Sequence, residues 1–452
     1  MLYSMSNFSF KYPFSHSGIN LDGLVDIYAG DIVLINGKSG SGKSTLLYAL
    51  KGLLPNTIFG EISGEILFKG DSINNLSSKD KLKIGLIQQN PDSQIINSQV
   101  FDELAFGLEN MMLEPSLIKE KVLSLAHRFN LSHLLKRDTN TLSGGEKQKI
   151  AFLSVILTDP EVVLLDEPTA FLDPDSAASF MQLLHEVRHG KTIIIIEHNT
   201  HYVQGIVNRY FEIDSNGYIG EQDINSKLFY VANQLQKNDS ALKLAEISEL
   251  SRTQDINTPV LEVRDLSYAY YKDKQLFSKI SFFLQPQQIL GIIGKSGAGK
   301  STLLKILARF IKTKNNVFIN GLEINSLKAK QLYAQIGLLF QNPENHFLFS
   351  DVEKELNYDN TMLELFDLSK VAKQNPFTLS EGQKRRLSFG VLKATFDRRI
   401  YLLDEPSFGQ DNDNKLILVN LIKQMRQGGA SFIIVSHDNN FLATLCDKII
   451  NI

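Results

Sequence analysis

The 452-residue chain holds a single cysteine, Cys446. That excludes an intrachain disulfide and any zinc or iron–sulfur cluster built from cysteines. It leaves Cys446 the expected role of a small buried apolar side chain. An excess of basic residues is also missing: 47 Lys and Arg face 50 Asp and Glu, for a net charge of −3. The electrostatic footprint of a nucleic-acid binder is therefore absent. Apolar runs are short, since "TIIII" (192–196) is cut by Glu197 and "VVLL" (162–165) by Asp166. Neither approaches the length needed to span a bilayer. The opening "MLYSMSNFSFKYP" lacks a charged segment followed by an apolar run, so no signal peptide is expected. The composition predicts a cytosolic globular chain, long enough for two or three domains, that reaches a membrane only through partners.

What the sequence does hold, it holds twice. "GKSGSGKSTLL" from Gly37 returns as "GKSGAGKSTLL" from Gly294, and "IGLIQQNPDSQ" from Ile84 as "IGLLFQNPENH" from Ile336. "VVLLDEPTAFLD" from Val162 returns as "IYLLDEPSFGQD" from Ile400, and "IIIIEHN" from Ile193 as "FIIVSHDN" from Phe432. The separation is 257 at Lys43/Lys300, 252 at Gln89/Gln341, 237 at Ser143/Ser380 and 238 at Glu167/Glu405. About fifteen residues are thus missing from the second copy between its Gln and its Ser. The expected organisation is one domain over 1–222, a polar linker over 223–258 and a second domain over 259–452. As a flexible coil the linker would span roughly 33 Å, enough for the copies to face each other within one chain. The continuous β-branched runs predict strands covered on both faces, as in a parallel α/β sheet. Polar residues gather where those runs end, which is where open α/β sheets bind ligands.

Each copy carries G-x-x-x-x-G-K-S between an apolar run and a helical pattern. In such a loop glycines let the backbone wrap phosphates, the lysine neutralises them and the serine reaches Mg²⁺. The candidate phosphate-binding residues are Gly37, Lys38, Ser39, Gly40, Ser41, Gly42, Lys43, Ser44 and Thr45 in the first copy. In the second they are Gly294, Lys295, Ser296, Gly297, Ala298, Gly299, Lys300, Ser301 and Thr302. Asp166–Glu167 and Asp404–Glu405 end apolar strands. The Asp is placed to hold Mg²⁺ through water, and the Glu to polarise a water toward a γ-phosphate. His198 and His437, each closing a later strand, are candidate γ-phosphate contacts.

"LSGGEKQ" (142–148) and "LSEGQKR" (379–385) complete the set. With them nearly the whole chain, apart from the linker, resembles the ATP-binding-cassette family. The resemblance implies two P-loop (RecA-like) α/β nucleotide-binding domains, each with a β subdomain and a helical subdomain, the latter shortened in the second copy. It implies that two cassettes close head to tail over two ATP molecules, each with Mg²⁺. Each ATP then lies between one copy's glycine loop and the other copy's signature motif, here Ser143, Gly144 and Gly145, or Ser380 and Gly382. Ser44, Gln89 and Asp166, and Ser301, Gln341 and Asp404, are the implied metal contacts. Tyr12 and Tyr270 look like the aromatic that stacks on adenine, and Asp173 and Asp411 like the loop by which one cassette senses the other. Glu381 departs from the motif. Turned inward it would oppose an anion at a positive helix end, so an outward orientation is expected.

"QNPDSQ" followed by "VFDELAFGLEN" resembles the cassettes of energy-coupling-factor vitamin and cobalt importers. The implied partners are a transmembrane coupling subunit and a substrate-binding membrane subunit, gripped near the loops of Gln89 and Gln341. That implies a peripheral place on the cytoplasmic face of a membrane, in a bacterium whose Asn, Lys and Ile usage hints at an AT-rich genome. Twin cassettes that act on ribosomes or in DNA repair are the alternative. They usually carry a long basic helical linker, whereas here the linker is short and of mixed charge. Twin-cassette sugar importers carry extra residues after the second signature that this chain lacks.

Overall fold

The computed structural model describes residues 1–13, 18–38, 40–170, 172–197, 200–224, 258–271, 274–295, 297–314, 316–395, 398–408, 410 and 412–452. Ser39, His198, Ser296, Asp411 and residues 225–257 of the expected linker lie outside these. The chain divides into two compact units, Met1–Gln236 and Lys237–Ile452. The linker bounds drawn from composition remain a proposal.

In the first unit the β-branched runs form a six-stranded sheet. Its order is Ile219–Gln222, Arg209–Ile213, Ile32–Gly37, Thr192–Ile196, Val162–Asp166, Ile84–Ile87. All neighbours are parallel except the first pair, an antiparallel hairpin. The second unit repeats the plan with five parallel strands: Ile336–Leu339, Ile400–Asp404, Ser431–Val435, Ile289–Ile293 and Lys448–Asn451. Every residue of Val162–Asp166, Thr192–Ile196, Ile400–Asp404 and Ser431–Val435 is buried. That is why these strands read as unbroken apolar runs rather than alternating ones. Each fully buried Ile, Leu or Val in them contributes about 1.5–3 kcal/mol.

Register then gathers the site. Asp166 pairs with Ile196 and Asp404 with Val435 at the carboxyl ends of the strands. The strands Ile32–Gly37 and Ile289–Ile293 run beside them into the two glycine loops. A smaller antiparallel sheet in each unit, built on Tyr3–Lys11 or Leu261–Tyr271, ends beside the same loop and delivers Tyr12 or Tyr270.

The fifteen missing residues come out of the helical layer. In the first unit, Val100–Asn110 and Pro115–Arg128 are helices of 11 and 14 residues. Their counterparts, Val352–Glu355 and Asn360–Leu365, have 4 and 6. The shortened layer still closes, because Leu356, Leu363 and Phe366 pack on Phe389 and Leu387 of the long helix Glu381–Thr395.

Candidate active sites

Each glycine loop wraps its own lysine. Lys43 Nζ donates to the carbonyls of Gly37 (2.7 Å) and Lys38 (2.9 Å), and Lys300 Nζ to those of Gly294 (2.8 Å) and Lys295 (3.0 Å). The helices Lys43–Leu50 and Lys300–Leu307 begin directly after left-handed glycines, Gly42 (φ 94°) and Gly299 (φ 96°). A Cβ at Gly42 would stand 2.0 Å from Ile19 Cγ2, and one at Gly299 2.6 Å from Leu276. Only glycine meets both the backbone conformation and the close approach. Ser41 Oγ, within the first loop, is buried without a hydrogen-bond partner; Ala298 replaces it in the second. Tyr12 and Tyr270 lie at the helix starts, their hydroxyls 2.9 Å from Thr45 and 3.0 Å from Thr302.

The carboxylates stand opposite. Ser44 Oγ donates to Asp166 Oδ1 and Ser301 Oγ to Asp404 Oδ1, both at 3.1 Å. Glu167 and Glu405 both adopt positive φ, 43° and 50°. Each amide is held by the neighbouring strand, at the carbonyl of Ile196 or Val435, both 2.9 Å away. A left-handed glutamate costs on the order of 1–3 kcal/mol. Both copies hold one at the strand end beside the glycine loop.

The signature motifs open long helices. Ser143 caps Gly144–Ile156 reciprocally with Glu146, at 2.8 and 3.3 Å. Ser380 and Gln383 make the same pair of contacts, at 3.1 and 3.4 Å, ahead of Glu381–Thr395. The second glycine is the packed one in each motif. A Cβ on Gly145 would lie 2.6 Å from Ser176 Oγ, and one on Gly382 2.7 Å from Asn414 Oδ1. Glu381 is the first helical residue and turns its carboxylate back to Lys384 Nζ, 3.3 Å away. Burial works against the Lys384 charge, but Glu344 and Glu381 together outweigh it and raise its pKa. The carboxylate is balanced within its own unit. Asp173 is committed to helix capping, accepting from the Ser176 amide (3.1 Å) and hydroxyl (2.6 Å).

The ABC transporter family model matches residues 22–170 and 277–408. The chain belongs to that family. Its two units are ABC cassettes, and the protein is an ATP-binding, ATP-hydrolysing ABC ATPase. It is 30% identical over 490 residues to a Bacillus subtilis protein provisionally named HMP/thiamine import ATP-binding protein YkoD, covering 99% of this chain and 89% of that one. It is 32% identical to an ABC transporter ATP-binding protein, also provisionally named, of Sulfurisphaera tokodaii, with coverage of 97% and 93%. Among solved structures, a ribosome-bound archaeal Pelota and ABCE1 model superposes with a TM-score of 0.66 at 17% identity, covering 98% of this chain and 76% of that one. At that identity the likeness concerns the twin-cassette fold.

The cassettes differ in chemistry. In the first, Gln89 Nε2 donates to Glu167 Oε2 at 2.7 Å, joining the Gln loop to the candidate base. In the second, Gln341 is exposed, and among the described residues its side chain makes no such bond. Glu405 is instead 5% exposed. It accepts from the His437 amide at 3.1 Å, while His437 Nε2 stands 3.6 Å from Oε1, beyond hydrogen-bond reach. Burial, above all, pushes the Glu405 carboxyl up to about 7, and burial likewise raises Asp404.

This has a consequence for pH. A carboxyl raised to about 7 is ionised, and able to accept a proton from water, only above that pH; as pH falls it becomes neutral. In a Glu167→Gln chain, where turnover rests on the second cassette, kcat/KM for ATP is expected to fall about tenfold per unit below pH 7. A profile that is flat from pH 6 to 8 would contradict the assignment of Glu405 as base.

Several participants escape motif reading. Glu103 and Glu355, both buried, turn into the Gln loops: Glu103 accepts from the amides of Ile96 (3.0 Å) and Asn97 (2.8 Å), and Glu355 from those of Leu348 and Phe349 (2.7 Å for the latter). Arg385, 2% exposed, donates to the carbonyl of Gln341 at 2.7 Å, where the first cassette has Gln148, whose amide is buried without partners. The repeat offsets of 252 and 237 align these positions, and that alignment was the available signal. Cys446 is half-buried rather than fully buried as expected, packed against the second unit's core, with its thiol pushed up to about 12 by burial.

Proposed function

We propose that this chain is the ATP-hydrolysing subunit of an energy-coupling-factor type importer. It would sit on the cytoplasmic face of a membrane and drive uptake of a vitamin, vitamin precursor or metal ion through separate membrane subunits. The observation that carries this reading is the shape of the Gln loops. Glu103 and Glu355 hold each loop from inside by its amides, and the held segment presents apolar side chains outward: Ile96 at 71% exposure, Leu348 at 85% and Phe349 at 50%. A fixed backbone with exposed apolar tips, directly beyond Gln89 and Gln341, fits a coupling helix of a transmembrane subunit. The import function named for the Bacillus subtilis relative supports the cargo class. Among the described residues no helix is long and apolar enough to cross a membrane, so the pore belongs to the proposed partners.

Mg²⁺ is part of the proposal. The donor set fits a hard cation that keeps water and phosphate ligands: a serine hydroxyl beside a carboxylate in each cassette, with Gln89 bonded to the adjoining Glu167 in the first. When bound it would supply charge neutralisation for the transferring phosphoryl group. The chain's own part is to hold the phosphates on the loop amides and on Lys43 or Lys300. Glu167 or Glu405 would accept a proton from the attacking water, and His198 or His437 would contact the γ-phosphate. The two cassettes are proposed to pair over ATP, within one chain or between two.

Tagged chain drawn from gently solubilised membranes is expected to bring down a transmembrane scaffold and a small substrate-binding membrane protein, identified by mass spectrometry. Recovery with ribosomes alone would overturn the importer reading in favour of a soluble twin-cassette ATPase.

A further inference from the structure

In both cassettes a lysine one turn into the signature helix reaches across to an acid three residues past the Gln of the Gln loop. Lys147 Nζ stands 2.5 Å from Asp92 Oδ1, and Lys384 Nζ stands 2.6 Å from Glu344 Oε1. Both ends are anchored to functional backbone. The Lys147 and Lys384 amides donate to the carbonyls of Ser143 and Ser380, at 2.9 and 2.8 Å. The Asp92 and Glu344 amides donate to the side chains of Asn90 and Asn342, at 3.0 and 2.9 Å, the residues that follow Gln89 and Gln341. The carboxylate is an Asp in one cassette and the longer Glu in the other, yet the span is closed in each.

We propose that Lys147 with Asp92, and Lys384 with Glu344, are positioning pairs that make the start of the signature helix and the Gln loop of the same cassette move as one element. A signature helix drawn onto a γ-phosphate then carries its own Gln loop with it. The second cassette ties the two more firmly. Arg385, next to Lys384, holds the Gln341 carbonyl at 2.7 Å, and Glu381 adds a second carboxylate to Lys384. Glu381 thereby becomes part of this joint, which accounts for a carboxylate at a position that otherwise favours glycine. Partly exposed pairs of this kind, with Asp92 63% exposed, add little to stability. That separates a role in motion from a role in folding.

The test needs only the ATPase activity, so failure to recover membrane partners leaves it standing. In the purified full chain, Lys147→Asp and Asp92→Lys are each expected to lower kcat for ATP about 3- to 10-fold. KM is expected to stay within about twofold, with an unchanged melting temperature. The reversed pair, carrying both substitutions, is expected to recover most of the loss. Amide exchange gives an independent reading. In Lys147→Met, saturating ATP should still protect residues 37–45, while its protection of residues 88–94 shrinks. Unchanged kcat, a reversed pair no better than the single variants, a loss that follows the melting temperature, or full ATP-dependent protection of 88–94 in Lys147→Met would each overturn the proposal.

Discussion

Replacing Glu167 and Glu405 together by Gln is expected to lower steady-state ATP turnover by about 10²- to 10⁴-fold, the range for removing a positioned general base. The single replacements are expected to differ, with Glu405→Gln costing more at pH 8. In the proposed head-to-tail pairing, the Glu167 site is completed by Ser380, Glu381 and Gly382, and the Glu405 site by Ser143, Gly144 and Gly145. Glu381 is neutralised by Lys384, but it still places a carboxylate on the first residue of a helix whose positive end is meant for phosphate. The Glu405 site would meet glycine at that first position, and the first-turn carboxylate of its signature helix, Glu146, is turned back onto the Ser143 amide at 2.8 Å. At pH 8 Glu405 lies above its raised pKa of about 7 and is ionised, so its burial does not hold that site back at this pH. Equal losses in the two single variants, measured side by side by phosphate release, would show that Glu381 has no effect on turnover.

Lys43→Ala with Lys300→Ala is expected to reduce kcat/KM for ATP by about 10²- to 10³-fold, as for loss of a preorganised charged donor. Both ammonium groups are buried and held by two loop carbonyls. They are therefore fixed where the loop amides converge, rather than sampling solvent. Arginine at either position is not expected to rescue, because a planar guanidinium on a longer stem does not fit a loop folded around a compact ammonium. Steady-state ATPase kinetics of the double variant measure the loss, and a kcat/KM within about threefold of the parent would refute the assignment. The melting temperature is expected to stay close to the parent's, since the helices that follow remain anchored by Leu46, Leu47, Leu303 and Leu304 in the cores.

The sequence by itself determined the doubling, the class of sheet and the place of the chemistry. Val162–Asp166 and Ser431–Val435 are buried on both faces, so their apolar runs left little freedom in reading them as central parallel strands. A glycine loop between strand and helix is a local requirement on backbone conformation, and Gly42 and Gly299 meet it within a few residues of chain. The fifteen-residue deletion was also legible, and it shortens two helices without changing the plan.

Only the tertiary structure decided how the two cassettes differ. That Gln89 meets Glu167 while Gln341 does not meet Glu405 depends on side-chain rotamers and on how deeply each carboxylate is packed. Nor is the raised pKa of Glu405 visible in "LLDEP", because it comes from burial supplied by residues far away in the chain. The partners Lys147–Asp92 and Lys384–Glu344 lie 55 and 40 residues apart. Charges that distant are brought together by packing of the signature helix on the Gln loop, and no local pattern encodes that contact. Motifs are written in local backbone requirements and recur intact, whereas coupling between them is a property of distance in the folded chain.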